Sequence, residues 1–213
     1  MKGPFAKVYQ QEFVAQVLEL VDVAFSRLRV GTLGTEEEPS ITGFLVQALR
    51  DFQAEMRGSD HFVWRYSFHD DPPVNVGGRT GKRRPRVDLR LEAAHREGNP
   101  TFPIEAKRLG KGHGCGEYLG PTGLGCFLEG TYGSSCSDVG MLGYVQTPTV
   151  EDWGVQVQKA LSSARMKFGV LPALGDCFFD IRTTATSCRF RSDHERWPRE
   201  FRVHHMLYAC HPV

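Results

Sequence analysis

The chain has 213 residues, 40% of them hydrophobic, enough for one substantial core, so a single domain over residues 1–213 is expected. A net charge of +1 sets up no global field for polyanions, and any nucleic-acid surface has to come from local clustering. No apolar run approaches the ~18 residues of a membrane span, and MKGPFAKVYQQEF lacks the apolar core of a signal peptide, so we expect a cytoplasmic protein without membrane contact.

Val14, Val17, Leu18, Val21, Phe25 and Leu28 recur at helical spacing and predict an amphipathic helix from about Val8 to Val30, closed by GTLG. Thr35 and Glu38 have the spacing of a capping box ahead of a second helix, whose apolar face is Ile41, Phe44, Leu45, Ala48, Leu49 and Phe52. HFVWRYSF is aromatic and β-branched between GSD and DDPP and reads as a strand. RVDLRLEA and TFPIEAKRL read as two more. A glycine-rich stretch leads to the buried strand GMLGYV, and Trp153, Val157, Ala160, Leu161, Ala164 and Phe168 mark another helix. CFFDIRTTATSCRFRS and EFRVHHMLYAC close the chain as strands. The order predicts a mixed α/β core.

GGRTGKRRPRVDLRLE contains a GK pair, but a phosphate loop needs glycine where Val76 stands and a hydroxyl residue where Arg83 stands. What remains is a basic loop, with Arg79, Lys82, Arg83, Arg84 and Arg86 immediately before a strand. It is either a solvated connection or a phosphate-binding surface.

In that strand Val87, Leu89 and Leu91 alternate with Asp88, Arg90 and Glu92; in the next, Phe102, Ile104 and Ala106 alternate with Glu105 and Lys107. The short HREGNP connection predicts an antiparallel hairpin with Asp88 opposite Glu105 or, after a slip, opposite Lys107. Both registers gather Asp88, Glu105 and Lys107 on the polar face. Pro103 lacks a backbone donor and predicts a bulge or unpaired position. Two carboxylates suit a hard cation, so Asp88 and Glu105 could hold Mg2+ with the Ala106 carbonyl as a third ligand. Lys107 would then act on the attacking water if its pKa is depressed, or stabilise transition-state charge if it is not. An ordinary salt-bridged surface hairpin has the same spacing.

Asp88 in RVDLRL, Glu105 and Lys107 in IEAKRL, and an acid in TEEEPSITGFLVQAL, in the order helix, strand, Asp strand, ExK strand, resemble the PD-(D/E)XK nuclease superfamily. Position 87 has valine where the superfamily's name has proline. EGTYGSSCSDVGMLGYV and FRSDHERWPREFRVHHMLY resemble downstream regions of small bacterial members. The resemblance implies a restriction-endonuclease-like core, a mixed central β-sheet flanked by helices, with an N-terminal helix and C-terminal strands added. It implies a Mg2+-dependent nuclease, with Mn2+ able to substitute, that hydrolyses DNA phosphodiesters in a prokaryotic setting such as defence against phage or mobile DNA. Asp88 and Glu105 would bind metal, Lys107 would act on water, and Glu38 or Glu37 would complete the metal site. Arg79, Lys82, Arg83, Arg84, Arg86 and Arg108, with His194 in RSDHER, would contact nucleic acid. RNA stays open beside DNA, as does a homodimer or a partner subunit that gates activity.

Two other readings stand beside this one. A catalytically silent nucleic-acid-binding or scaffold subunit would retain the fold. A zinc-stabilised module would gather His113, Cys115, Cys126 and Cys136, although their gaps match no common ligand spacing and the cysteines otherwise read as free thiols. His204 and His205, adjacent on a strand, should point to opposite faces.

Overall fold

Residues 4–75, 81–94, 98–147, 149–171, 178–196 and 199–212 are described by a computed structural model. The first helix, α1 (Pro4–Ser26), buries Val14, Val17, Val21 and Phe25 and leaves Leu18 and Leu28 half-buried, as its spacing predicts. It ends earlier than expected, and a 3-10 turn occupies Val30–Thr35. The second helix, α2 (Glu38–Glu55), tolerates Pro39 in its first turn, where the missing N–H has no helical partner to lose. Ile41, Leu45, Ala48, Leu49 and Phe52 are buried on it, but Phe44 is 48% exposed and lies off the packed face. The capping box does not form. Thr35 closes the preceding 3-10 turn, Glu37 occupies the N-cap without a side-chain bond, and the Glu38 carboxylate is engaged elsewhere.

Among the described residues, seven strands form one mixed sheet in the order β1-β2-β3-β4-β7-β6-β5. They are β1 (Tyr66–Asp70), β2 (Leu89–Ala93), β3 (Thr101–Leu109), β4 (Asp138–Val145), β5 (Phe179–Thr183), β6 (Ser187–Arg196) and β7 (Arg199–Ala209). β1, β2 and β3 are an antiparallel meander; β4 joins β3 in parallel, β7 joins β4 in parallel, and β6 and β5 return antiparallel. Leu89 pairs with Ile104 and Leu91 with Phe102, the register that puts Asp88, one step beyond the strand, opposite Glu105. Pro103 pairs with Arg90 without a register shift, so the expected bulge is absent. The ladder to β4 begins only at Ile104, and the missing donor costs nothing there.

Two apolar stretches divide differently from their periodicity. HFVWRYSF yields a strand only from Tyr66, because His61 Nδ1 caps the Val63 N–H and winds Phe62–Arg65 into a 3-10 turn. CFFDIRTTATSCRFRS is a hairpin: Thr184 Oγ1 accepts from the amides of Thr186 and Ser187 and turns the chain between β5 and β6. The glycine-rich stretch contains two short helices, α3 (Cys115–Tyr118) and α4 (Leu124–Leu128). A Cβ on Gly123 would collide with the Tyr118 carbonyl, so the tight passage between them requires glycine.

Helices α1 and α2 cover one face of the sheet over Phe102, Ile104, Ala106, Leu142 and Met206. The other face is covered by α3, α4, α5 (Val150–Ser163) and α6 (Arg165–Phe168), over Met141, Phe190, Phe201 and Val203. Among the described residues no helix is long and apolar enough to cross a membrane.

His194, expected in a phosphate-contacting loop, is instead fully buried on β6. Its Nδ1 meets the Phe168 carbonyl at 2.8 Å and its Nε2 meets Ser192 Oγ at 2.7 Å. Ser192 continues to His205 Nε2 at 2.8 Å, and His205 Nδ1 to Tyr118 at 3.1 Å. Burial lowers the pKa of both histidines, so the chain is uncharged. The flanking charges suggest a surface, but alternation along β6 turns His194 inward. His204 points to the opposite face, as expected, and pairs with Asp138 at 3.0 Å.

Candidate active site

Strand β3 is buried on both faces, and its alternation sends Ala106 under α1 and α2 while Glu105 and Lys107 share the other side. Asp88 reaches them from the start of β2, and its Oδ2 accepts from the Ala106 N–H at 2.7 Å. That bond crosses between the strands and holds the carboxylate in place. Glu38 arrives from the first turn of α2, where its Oε2 accepts from the Arg108 N–H at 3.3 Å. All three acids converge on Lys107: Nζ lies 2.9 Å from Glu105, 3.1 Å from Glu38 and 3.7 Å from Asp88, and it donates to the Ala106 carbonyl at 2.5 Å.

Of the two helix acids left open by sequence, Glu38 faces the cluster. Glu37 instead pairs with the Arg108 guanidinium at 2.8 Å and is largely exposed. If the cluster is catalytic, Glu38→Gln should lower turnover about tenfold or more, while Glu37→Gln and Glu36→Gln stay within about twofold of the parent in a steady-state cleavage assay. A larger loss in Glu37→Gln would move the third acid out of the cluster.

The Glu105 side chain is only 6% exposed and that of Lys107 11%. Burial, reinforced by the neighbouring Asp88 charge, pushes Glu105 up to about 8 against the pull of Lys107. Glu38 is also raised, first by burial. Burial alone would lower Lys107, but the charges of Glu105, Asp88 and Glu38 outweigh it and hold the amine above its ordinary range. Lys107 is therefore a cation in this arrangement and no proton acceptor. Three carboxylates facing one ammonium favour retention of a proton among the acids, and burial favours it at Glu105.

The donor set for a hard cation is oxygen throughout: Asp88, Glu105, Glu38 and the Ala106 carbonyl. Glu105 Oε2 is buried without a hydrogen-bond partner among the described residues, a polar atom available to an ion. No group of three or more His, Cys, Asp or Glu among the described residues is already arranged around one metal position, since Lys107 stands between the acids. An ion could enter only as the ammonium moves aside.

The cleft over the cluster, about 460 Å³, is walled by residues that sequence reasoning does not assign to it. His113 Nδ1 meets Glu117 at 2.8 Å across α3, a pairing legible in principle from their i,i+4 spacing. Tyr132 and Cys126 line the opposite side, and burial raises the Cys126 thiol to about 11, so it is an unreactive wall. The zinc set does not assemble: Cys126 Sγ lies against the Pro121 carbonyl and Cys136 Sγ against Thr101.

The basic loop folds back on residues 71–74 through backbone bonds from Val74 to Pro85 and from Val87 to Pro72. Lys82 and Arg83 are exposed in a 3-10 turn at Gly81–Arg83. Arg84 is held by Asn75 at 3.0 Å and Arg86 by Asp71 at 2.5 Å, so both are oriented by neighbours within the loop. Arg79 lies outside the described residues. Compared with known proteins, the chain matches no family model, no curated protein and no solved structure.

Proposed function

We propose that this chain is a divalent-metal-dependent nuclease with a restriction-endonuclease-like core, hydrolysing DNA phosphodiesters at the cluster of Asp88, Glu105, Lys107 and Glu38. The observation that carries the reading is the convergence of three acids and one lysine from the entry to β2, from β3 and from α2, with Glu38, Glu105 and Lys107 lining an open cleft and a carboxylate oxygen of Glu105 left unpartnered. Asp88, Glu105, Glu38 and the Ala106 carbonyl would hold Mg2+, or Mn2+ in its place. The bound ion would supply Lewis-acid chemistry and a more acidic water. The Ala106 amide fixes Asp88, and Glu105 gives up its proton when the site is loaded. Lys107, already cationic, turns from the acids toward the charge that develops on the phosphoryl oxygens. The loop from Lys82 to Arg86 stands directly ahead of Asp88 and supplies phosphate contacts beside the scissile bond. A cytoplasmic role in defence belongs to the same reading.

The second reading, a catalytically silent nucleic-acid-binding or scaffold subunit, is favoured by the way Lys107 stands between the acids where an ion would have to sit. Incubation with linear and circular DNA and with RNA, in Mg2+, in Mn2+ and without metal, separates the two. Metal-dependent cleavage abolished by Asp88→Asn supports the enzyme; tight DNA binding without cleavage under every condition supports the subunit.

The loop's part can be measured separately. Replacing Arg79, Lys82, Arg83 and Arg84 by serine should weaken DNA binding alike for all sequences. The slope of log K against log salt should fall by about one unit for each phosphate the loop ceases to neutralise. Melting temperature should change little, because exposed charges contribute little to stability. A parent-like salt slope would make the loop a solvated connection only.

A further inference from the structure

On the face of the sheet away from Glu105 and Lys107, α1 packs on β7 and reaches β6 through Asp22, while β5 lies exposed at the sheet's edge. Arg189 pairs across the sheet with Met206, which packs under α1, so Arg189 and Arg191 share that helix-bearing face. Arg182 on β5 stands directly opposite Arg189, and Arg191 directly opposite His204. Like charges placed opposite each other destabilise a sheet; Asp22 already meets Arg189, which leaves Arg182, exposed on the edge strand, as the member of the pair with no counter-charge among the described residues. A cavity of about 610 Å³ lies between this basic row and α1, bridged by the Asp22–Arg189 pair; its helix wall carries Val14, Ala15 and Leu18 as an apolar strip, with Glu19 as a further acid. That size is in the range of small-molecule sites.

The arginines are held in position from one side. Asp22 of α1 takes Arg189 at 2.6 Å, and buried Asp138 takes Arg202 at 2.7 Å. Arg191 bonds Asp193 through Nε at 3.1 Å and Asp180 through one terminal nitrogen at 3.3 Å, and it stacks over Phe179. A guanidinium has five N–H donors, so these bonds orient each group and leave donors over. Arg182 has no polar partner among the described residues.

Asp180 differs from the other acids. Its side chain is 70% exposed, and its backbone is left-handed, with φ +54°, where the register shifts between Phe179 and Arg182. A non-glycine residue is uncommon in that conformation. It puts a loosely held carboxylate on the guanidinium that faces the cavity.

We propose that this cleft binds a phosphate-bearing ligand, with Arg182 and Arg191 as its principal donors and the Asp180 carboxylate standing in for the anion until the ligand displaces it. The nearby acids offset most of the row's charge, so recognition rests on directed guanidinium bonds, which match phosphate oxygens two at a time. The strip on α1 suits the apolar part of a small phosphate ester such as a nucleotide. The inference stands apart from the nuclease reading.

Isothermal titration with pyrophosphate, with ATP and with a short oligothymidylate tests it on the full chain. We expect pyrophosphate and ATP to bind, the Arg182→Ala/Arg191→Ala variant to lose about tenfold or more in affinity, and Asp180→Asn to bind more tightly than the parent. Unchanged or weaker binding in Asp180→Asn would overturn the displacement of Asp180 by the ligand. Binding of the oligothymidylate alone, with the same dependence on Arg182 and Arg191, supports the site and assigns its phosphate to a nucleic-acid strand. The proposal is overturned if none of the three probes binds, or if a double variant with parent-like melting binds as the parent does.

Discussion

Lys107→Met should reduce DNA cleavage about a hundredfold to a thousandfold, lower the melting temperature of the metal-free protein, and leave Mg2+ affinity equal to the parent's or higher. The first effect follows if the ammonium stabilises phosphoryl charge, since loss of one oriented donor costs about that much in rate. The second follows from burial. Without Lys107 the acids of β2, β3 and α2 face one another with no counter-charge. Stranding buried charge costs about 3–5 kcal/mol in full, and we expect about 2–3 kcal/mol because Glu105 can keep its proton instead. The third follows from geometry: the ammonium occupies the position between the acids that an ion needs. Near-normal cleavage by the variant would remove Lys107 from the mechanism, and weakened Mg2+ binding would show that the lysine supports the ion rather than competing with it.

Glu105→Gln should abolish metal binding and flatten the dependence of stability on pH. The Glu105 carboxyl is pushed up to about 8 in the folded chain against an ordinary value of 4.5. Between those values the folded state keeps a proton that the unfolded state has released, so stability falls as pH rises through that window. Glu38 is shifted in the same direction and adds to the fall. Lys107, raised by its acids, contributes stability that is lost only at far higher pH. Because an ion must expel the Glu105 proton, Mg2+ affinity of the parent should climb with pH and level off above about 8. Melting curves across pH, paired with Mg2+ calorimetry, read both effects. A parent whose melting temperature rises steadily between pH 5 and 8 would contradict the protonated Glu105.

The part of this site legible in the sequence is the part set by a period of two. Leu89 and Leu91 against Ile104 and Phe102 determine the hairpin register, and with it the meeting of Asp88, Glu105 and Lys107. The helix acid is legible only as a pair, because a choice between Glu37 and Glu38 depends on where the first turn of α2 abuts β3. The capping box misleads for the same reason: Lys107 and the Arg108 amide attract the Glu38 carboxylate more strongly than its own helix end does. Helices α3 and α4, at four and five residues, are too short to show a period, so the cleft wall they build is invisible in the sequence. His194 misleads through its charged neighbours, of which Arg196 is one. Arg196 does not face solvent phosphates; it donates to the carbonyls of Phe127, Gly133, Ser134 and Cys136 and ties the glycine-rich stretch to β6.

The buried chain from Phe168 to Tyr118 also has a direction. The Phe168 carbonyl can only accept, so His194 carries its proton on Nδ1 and receives one from Ser192 at Nε2. Ser192, having given its proton, must accept from His205 Nε2, which leaves the His205 Nδ1 lone pair turned to Tyr118. Tyr118 is then the donor both to His205 and to the Met141 carbonyl, each 3.1 Å away, and its one hydrogen is shared between them. Running the sequence backwards would need a second proton on His194, and burial opposes that charge. Four side chains from α3, β6 and β7 thus share one polarity, a one-way latch of hydrogens across the centre of the sheet.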